Sequence, residues 1–233
     1  MAKKQTFVTP PMQVRYAYLV TPSTTHKADG QYTVKVAILD GTPEAEEFKA
    51  FLKGRYEEVI PEKLAQLSPA QKNKLVRIPP WQTEEDKDSG EETGYITLTF
   101  SMDAKVTRKK DGKVFEFQPD LFDAGNQMLS GAAKANLKLG AGSMVRVSYT
   151  ADRGYCMEAT DANNKKFIKS GLSVDLKAVK ILSVVEFGAS AGSYGFADTD
   201  EGEYEADNSA AANTSNDDDL NGDNSLPPGD GDF

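Results

Sequence analysis

The protein has 233 residues, a formal net charge of −9 and one cysteine. A single cysteine excludes an internal disulfide, and no apolar run approaches the ~20 residues that a membrane-spanning helix needs. The first residues, Met1 to Gln5, lack the apolar core of a signal peptide, so we expect a cytoplasmic protein without a membrane anchor.

The first quarter of the chain predicts two strands and a helix. Apolar residues alternate over 14–20 and again over 31–39, which predicts a β-hairpin. Thr42-Pro43 then matches a helix N-cap followed by proline at the first helical position. From Phe48 to Ile60, apolar residues recur every three or four positions, so one face of this helix is expected to lie on the sheet.

The middle of the chain predicts a loop, a third strand and a basic hairpin. Residues 79–94 contain six acids and one lysine, a composition typical of a long polar loop. Trp81 lies at the root of this loop, where it either covers the edge of the core or stacks on a base. Alternation over 95–102 predicts a strand, and the cations that follow it lie at the tip of a hairpin ending near Phe117. For 121–138 we expect a loop with a short helical stretch.

The remaining ordered segments predict two more strands. The first covers 144–150, and a loop carrying Arg153, Tyr155 and several lysines leads from it to the last strand, 172–187. The alternation in this last strand changes phase near Ala178, which predicts a β-bulge. A bulged strand can serve two halves of a closed barrel.

Five strands, one inserted α-helix and long loops indicate a mainly β fold, an oligonucleotide-binding (OB) Greek-key barrel formed by residues 1–196. The helix lies between the second and third strands, whereas the commonest arrangement places it between the third and fourth. A β-sandwich would need about seven strands, more than the pattern supplies.

Residues 197–233 hold twelve of the 36 acids and no Lys or Arg, which predicts a disordered acidic tail. Residues 1–196 keep all 27 basic residues and 24 acids, so they are mildly basic. The tail either confers solubility alone or competes with nucleic acid for a basic groove. Leu226 and Phe233 near its end favour a functional role, because solubility requires no apolar side chains.

The residues for common enzyme chemistry are incomplete. His26 is the one histidine and Cys156 has no histidine near it in sequence, so His-based triads and zinc sites lack members. The glycines of 140–142 precede a strand, whereas a phosphate-binding loop precedes a helix. Residues 217–222 resemble half of a calcium loop, but Pro228 stands where a bidentate Glu is required. We therefore expect a protein that is not an enzyme and has no cofactor or metal.

Single-strand binding requires cations that follow phosphates and aromatic rings on which bases stack. The predicted stacking residues are Tyr16, Trp81 and Tyr155. The predicted DNA-binding cations gather on the basic hairpin and the later loops: Lys105, Arg108, Lys109, Lys110, Lys113, Arg146, Arg153, Lys165 and Lys166. A solvated strand edge is the alternative explanation for each lysine taken singly, but their clustering favours a shared groove.

These segments, taken together, resemble the single-stranded DNA-binding protein of T7-like short-tailed bacteriophages. The resemblance is carried by Lys3-Lys4, Tyr16-Ala17-Tyr18, residues 30–34, the strand from Gly142-Ser143 with Tyr155 beyond it, the last strand and the tail ending Asp230-Gly231-Asp232-Phe233. The order of these segments and the tail ending are its specific parts. It adds Lys3 to the predicted DNA-binding set.

The resemblance implies an OB barrel with its helix after the second strand, which explains the unusual helix position. It also implies that the protein coats and anneals single-stranded DNA in phage replication, recombination and repair in the bacterial host cytoplasm, and that it forms a homodimer. Asp230, Asp232 and Phe233 would contact the phage DNA polymerase and the helicase-primase. The acidic segment 82–94 and the Asn and Ser residues of the tail depart from the family pattern.

Two other functions remain open on the sequence alone. An acidic-tailed protein chaperone or nucleic-acid mimic would bind basic proteins through the tail and would not bind DNA. A polynucleotide-processing enzyme would need carboxylates grouped for metal binding, and residues 1–196 contain none at ligand spacing.

Overall fold

The computed structural model describes residues 5–25 and 27–185. The strands are β1 (Phe7–Val8), β2 (Met12–Ser23), β3 (Gln31–Leu39), β4 (Leu75–Arg77), β5 (Trp81–Glu85), β6 (Glu92–Asp103), β7 (Lys105–Thr107), β8 (Val114–Glu116), β9 (Asp120–Phe122), β10 (Met144–Thr160) and β11 (Lys166–Ser183). The helices are α1 (Pro43–Val59), α2 (Pro61–Ala65), α3 (Pro69–Lys72) and α4 (Gly131–Ala135).

Five long strands close into a barrel. Hydrogen-bonded neighbours run β2, β3, β6, β11 and β10, and β10 returns to β2 through the pair Met144 and Gln13. The β6–β11 contact is parallel, at Ser101 and Asp175, while the other ring pairs are antiparallel. This order is that of the five-stranded OB barrel, so the predicted fold is confirmed.

The core follows the strand alternation. Tyr32, Val34, Val36 and Ile38 of β3 are all buried, as the sequence predicted. In β10 and β11 the inward residues include Tyr149 and Leu176, both fully buried. Because inward and outward side chains alternate along a strand, the same segments present a row of polar residues outside.

Helix α1 lies between β3 and β6 in the chain, where the sequence predicted it. The Thr42 hydroxyl accepts a hydrogen bond from the Ala45 N–H at 3.3 Å, and Pro43 occupies the first turn. Phe48, Leu52 and Tyr56 are buried against the barrel. The Tyr56 hydroxyl also shares a 2.7 Å hydrogen bond with the Ser170 hydroxyl, which joins the helix to β11.

The prediction of a polar loop over 79–94 is wrong. Strand β5 pairs with β6, with Trp81 opposite Leu98, and a short turn joins the two. Glu84 accepts two hydrogen bonds of 2.7 Å from the Arg15 guanidinium, which connects β5 to β2. Arg15 lowers the pKa of Glu84, chiefly through these hydrogen bonds. This bidentate, charge-assisted pair gives the polar strand β5 an attachment to β2 that does not depend on apolar side chains.

The predicted loop after residue 150 is also wrong. Strand β10 continues to Thr160 and pairs with β11 from Lys166 onward, so Arg153 and Tyr155 are strand residues and Lys165 ends a tight turn. The bulge near Ala178 is confirmed, because the β10–β11 register shifts between Ser148 and Tyr149, opposite Ala178 and Leu176. Within 121–138, the expected short helix is α4, and strand β9 was not foreseen.

The β7–β8 hairpin forms a two-stranded sheet of its own. Phe117 donates its N–H to the Ala104 carbonyl at 2.8 Å, so the hairpin base stays joined to the end of β6. No helix among the described residues is long and apolar enough to span a bilayer. The predicted boundary between residues 196 and 197, and the tail beyond it, lie outside the described residues.

Candidate nucleic-acid interface

A groove crosses the outer face of β2, β3, β6 and β11. It consists of three adjoining cavities that share Ser101 at the centre. The first is lined by Tyr16, Tyr18 and Thr33 on the β2–β3 side. The second contains Tyr155 and Lys169, and the third reaches Arg153 and the base of the β7–β8 hairpin. In an OB barrel this face, with its flanking loops, is where oligonucleotides bind.

The floor of the groove is made of small polar side chains. Thr33 lies directly opposite Ser101 in the β3–β6 ladder, and Thr99 lies opposite Lys35. Their neighbours in sequence, Val34 and Phe100, point inward and are fully buried. Short hydroxyl side chains leave room above the sheet for a flat ligand, so the floor does not block a nucleobase.

Two tyrosines flank the groove on β2. Tyr16 is 41% exposed and Tyr18 is 49% exposed, with ring centroids 6.2 Å apart. Register shifts on either side of this pair interrupt the β2–β3 ladder. Large aromatic rings left half open beside a groove provide the platforms on which unpaired bases stack.

Tyr155 lies on the opposite side, over a glycine. It pairs with Gly171 across the β10–β11 hairpin, and a Cβ atom on Gly171 would lie only 2.4 Å from the Tyr155 hydroxyl oxygen. The ring therefore occupies the space that a side chain at 171 would fill. Burial raises the pKa of Tyr155, and the nearby Tyr56 raises it further, so the phenol stays neutral at physiological pH.

The predicted cations divide into paired and unpaired groups. Arg153 lines the groove and forms hydrogen bonds of 2.7 and 2.8 Å to Asp175, which raise the pKa of the guanidinium. Lys105 pairs with Glu116 at 3.0 Å, and Arg108 pairs with Asp111. In the described part of the chain no ion pair involves the three exposed lysines at the hairpin tip, Lys109, Lys110 and Lys113.

Comparisons with known proteins bear on the fold. No protein-family model and no curated protein sequence matches the chain. The crystal structure of gp2.5, a single-stranded DNA-binding protein encoded by bacteriophage T7, superposes with a TM-score of 0.57 at 16% sequence identity, covering 88% of this chain and all of that one. The chain has the fold of this phage protein. The likeness confirms, at the level of the fold, the resemblance inferred from the sequence.

Structures of the single-stranded DNA-binding protein from bacteriophage Enc34 also align. A C-terminally truncated form gives a TM-score of 0.48 at 12% identity over 78% of this chain and 87% of that one. The complex with single-stranded DNA gives 0.48 at 10% identity, over 78% and 89% of the two chains.

Two of the predicted site residues lie away from the groove. Arg146 lines a separate cavity beside α1, together with Phe7 and Phe51. Trp81 is half-buried against the core, and the Lys53 ammonium lies 5.9 Å from its ring centroid. For Trp81 the structure favours the role of covering the core edge, which was one of the two alternatives.

The other predicted residues fall into two places. Lys165 and Lys166 are exposed at the far end of the β10–β11 hairpin, beyond Tyr155. Lys3, Asp230, Asp232 and Phe233 lie outside the described residues, as does His26.

The sequence reasoning missed the groove floor and its lysine. Thr33, Thr99, Ser101 and Ser173 line the groove, and Lys169 stands beside Tyr155. One signal was available: the outward positions of the two neighbouring strands carry Gln31, Thr33 and Lys35 opposite Asp103, Ser101 and Thr99. A solvent-exposed sheet face has the same composition, so this signal gains meaning only with the fold.

Proposed function

We propose that the protein binds single-stranded DNA across the outer face of β2, β3, β6 and β11, without sequence specificity. The observation that carries this proposal is the groove itself, with Tyr16 and Tyr18 on one side, Tyr155 on the other and small hydroxyl side chains between them. Aromatic platforms bind any base, because every base has a π face. The exposed lysines of the β7–β8 tip supply charge for the phosphates.

The proposed role is in phage DNA replication, recombination and repair, in the cytoplasm of a bacterial host. The protein coats exposed single strands and anneals complementary ones, and it acts as a binding protein rather than as an enzyme. The fold shared with gp2.5 of bacteriophage T7 supports this proposal. Homodimer formation and recruitment of the phage polymerase and helicase-primase through Asp230, Asp232 and Phe233 belong to the same proposal and rest on the sequence resemblance.

The test is a titration of fluorescently labelled oligonucleotides, single-stranded and duplex, at several salt concentrations. We expect a clear preference for the single strand, because stacking requires unpaired bases, and a fall in affinity as salt rises, because bound phosphates release counterions. Equal affinity for duplex, or binding that salt does not change, contradicts the proposal. An acidic-tailed chaperone or nucleic-acid mimic would show no oligonucleotide binding at all.

A further inference from the structure

The β7–β8 hairpin leaves four large apolar side chains exposed within twelve residues. Val106, Val114, Phe115 and Phe117 are between 40% and 57% exposed. Single exposed apolar residues are ordinary, but several on one short element can mark an interaction site or a ligand-binding groove. The hairpin forms a separate two-stranded sheet, so packing within the barrel does not account for the group.

Three of these side chains share one face of the hairpin. Val106 lies directly opposite Phe115 in the β7–β8 ladder. Phe117 follows Phe115 by two residues, and side chains two apart in an extended segment point the same way. Val106 and Phe117 both line the third cavity of the groove, of about 600 Å³. The apolar face is therefore continuous with the groove.

The charges around this apolar face favour an occupant that is anionic and also carries apolar groups. Lys109, Lys110 and Lys113 are exposed at the tip, just beyond the apolar face. The Arg108 guanidinium carbon lies 5.2 Å from the Phe115 ring centroid and is held by Asp111. In the cavity, Asp103 is paired with Lys27 and Asp175 with Arg153, and Lys177 adds a further positive charge.

We infer that Phe115 and Phe117 form a second base-stacking surface, which extends the single-strand path from the groove onto the hairpin. This inference rests on the proposed function. Phosphates of the same strand segment contact the tip lysines, while its bases stack on the two phenyl rings. The hairpin thus binds bases as well as phosphates, a role that its sequence charge alone did not indicate.

The experiment compares two single-stranded probes of equal length, one of normal nucleotides and one of abasic residues. Replacing both rings, Phe115→Leu with Phe117→Leu, keeps apolar bulk but removes the aromatic faces. We expect about a tenfold or larger loss of affinity for the normal probe and no change for the abasic probe. The slope of affinity against salt should stay the same, because no phosphate contact is removed.

Matched variants separate stacking from altered folding. Phe51→Leu changes an aromatic side chain of similar exposure beside α1, in the cavity that holds Arg146, and should leave both probes unaffected. Phe115→Tyr with Phe117→Tyr keeps both rings and should bind the normal probe with full affinity. Circular dichroism checks that each variant retains its fold.

The outcomes distinguish the inference from the proposed function. If the unaltered protein fails to bind the normal probe, the proposed function fails and the inference with it. If the unaltered protein binds and the double Leu variant binds equally well, only the hairpin inference is refuted. An equal loss on both probes would also refute it, since stacking cannot contribute to abasic binding.

Discussion

The contact between Tyr155 and Gly171 allows the groove to be altered with little effect on the fold. A Cβ atom at position 171 would lie 2.4 Å from the Tyr155 hydroxyl oxygen, 2.5 Å from Cζ and 2.9 Å from Cε1. Gly171→Ala must therefore displace the ring. The atoms displaced are the far end of one side chain, so the backbone of β10 and β11 can stay in place.

Two opposing contributions keep the stability change small. Alanine restricts the unfolded chain more than glycine does, which favours folding by about 0.5–1 kcal/mol. Moving the half-buried Tyr155 ring away from Gly171 costs free energy and offsets this gain. We expect the free energy of unfolding to change by less than about 1 kcal/mol. If Tyr155 stacks on a base, however, affinity for single-stranded DNA should fall by about 5- to 150-fold, which corresponds to ~1–3 kcal/mol.

The assay combines oligonucleotide titration with urea unfolding, and Gly154→Ala is the matched control. A Cβ atom on Gly154 would lie 2.9 Å from Ile60 Cδ1 and 3.3 Å from the Ile60 Cα, where backbone has to move. This control should lower stability and leave the affinity of the folded protein nearly unchanged. The two glycines of one hairpin should therefore give opposite results.

A double-mutant cycle gives the refuting result. In a Tyr155→Ala background, Gly171→Ala should cause no further loss of affinity, because the displaced group is already absent. Two results would show that Tyr155 is not a stacking platform at this site. Either Gly171→Ala weakens binding equally in both backgrounds, or it does not weaken binding in the protein that keeps Tyr155.

Four further predictions concern charged residues and the terminal aromatic residue of the tail. Reversing Lys109 and Lys110 to Glu should weaken binding to all sequences alike and flatten its salt dependence, because phosphate contacts carry no sequence information; titrations on several oligonucleotides measure this. Deleting residues 197–233 removes all twelve acids of that segment and should tighten binding most at low salt, if the segment competes with DNA. Phe233→Ala should leave oligonucleotide affinity unchanged but weaken polymerase binding in a pull-down. Glu84→Gln should lower the free energy of unfolding by about 1–2 kcal/mol at pH 7. Because folding lowers the pKa of Glu84, this difference is fully present above its ordinary value of 4.5 and is lost as the pH falls through the folded-state pKa, which urea unfolding at pH 7 and pH 3 can measure.

Each of these has a control or a contradicting outcome. Arg146→Glu reverses a charge in the separate cavity beside α1 and should leave DNA binding unchanged, unlike the hairpin reversal. A tail deletion that binds no more tightly at low salt contradicts the competition model, and full polymerase binding by Phe233→Ala contradicts an anchoring role. A Glu84→Gln stability difference that persists unchanged at pH 3 would show that the carboxylate charge is not responsible.

The parts of the fold with strong local signals were predictable. Thr42-Pro43 determines where α1 begins through a cap and a fixed φ, both of which are local effects. The strict alternation of β3 places Val34 and Val36 in the core, since one face of that strand is buried along its whole length. Neither inference depends on distant residues.

The missed elements depend on distant partners. Strand β5 has polar side chains, and Glu84 is stabilised there by Arg15, 69 residues earlier. The end of β10 lies in a ribbon with few buried apolar residues, so its pattern resembles that of a loop.

The candidate site also depends on distant residues. Tyr16 and Tyr155 were identified as aromatics outside the core, but Arg146 could not be distinguished from Arg153, because only the barrel places them in different cavities.

The closure of the barrel has a consequence for how the protein is made. The ring is completed only when Met144 and Val145 pair with Gln13 and Met12, and the groove also requires β11, which ends at Ser183. Contacts between such distant segments form slowly, because a long loop must close before any of them contributes. During synthesis the inner face of the early β2–β3 hairpin therefore stays uncovered until nearly all of the described chain has left the ribosome. Nascent chains that stop before β11 should therefore lack the groove, because β11 forms one of its walls.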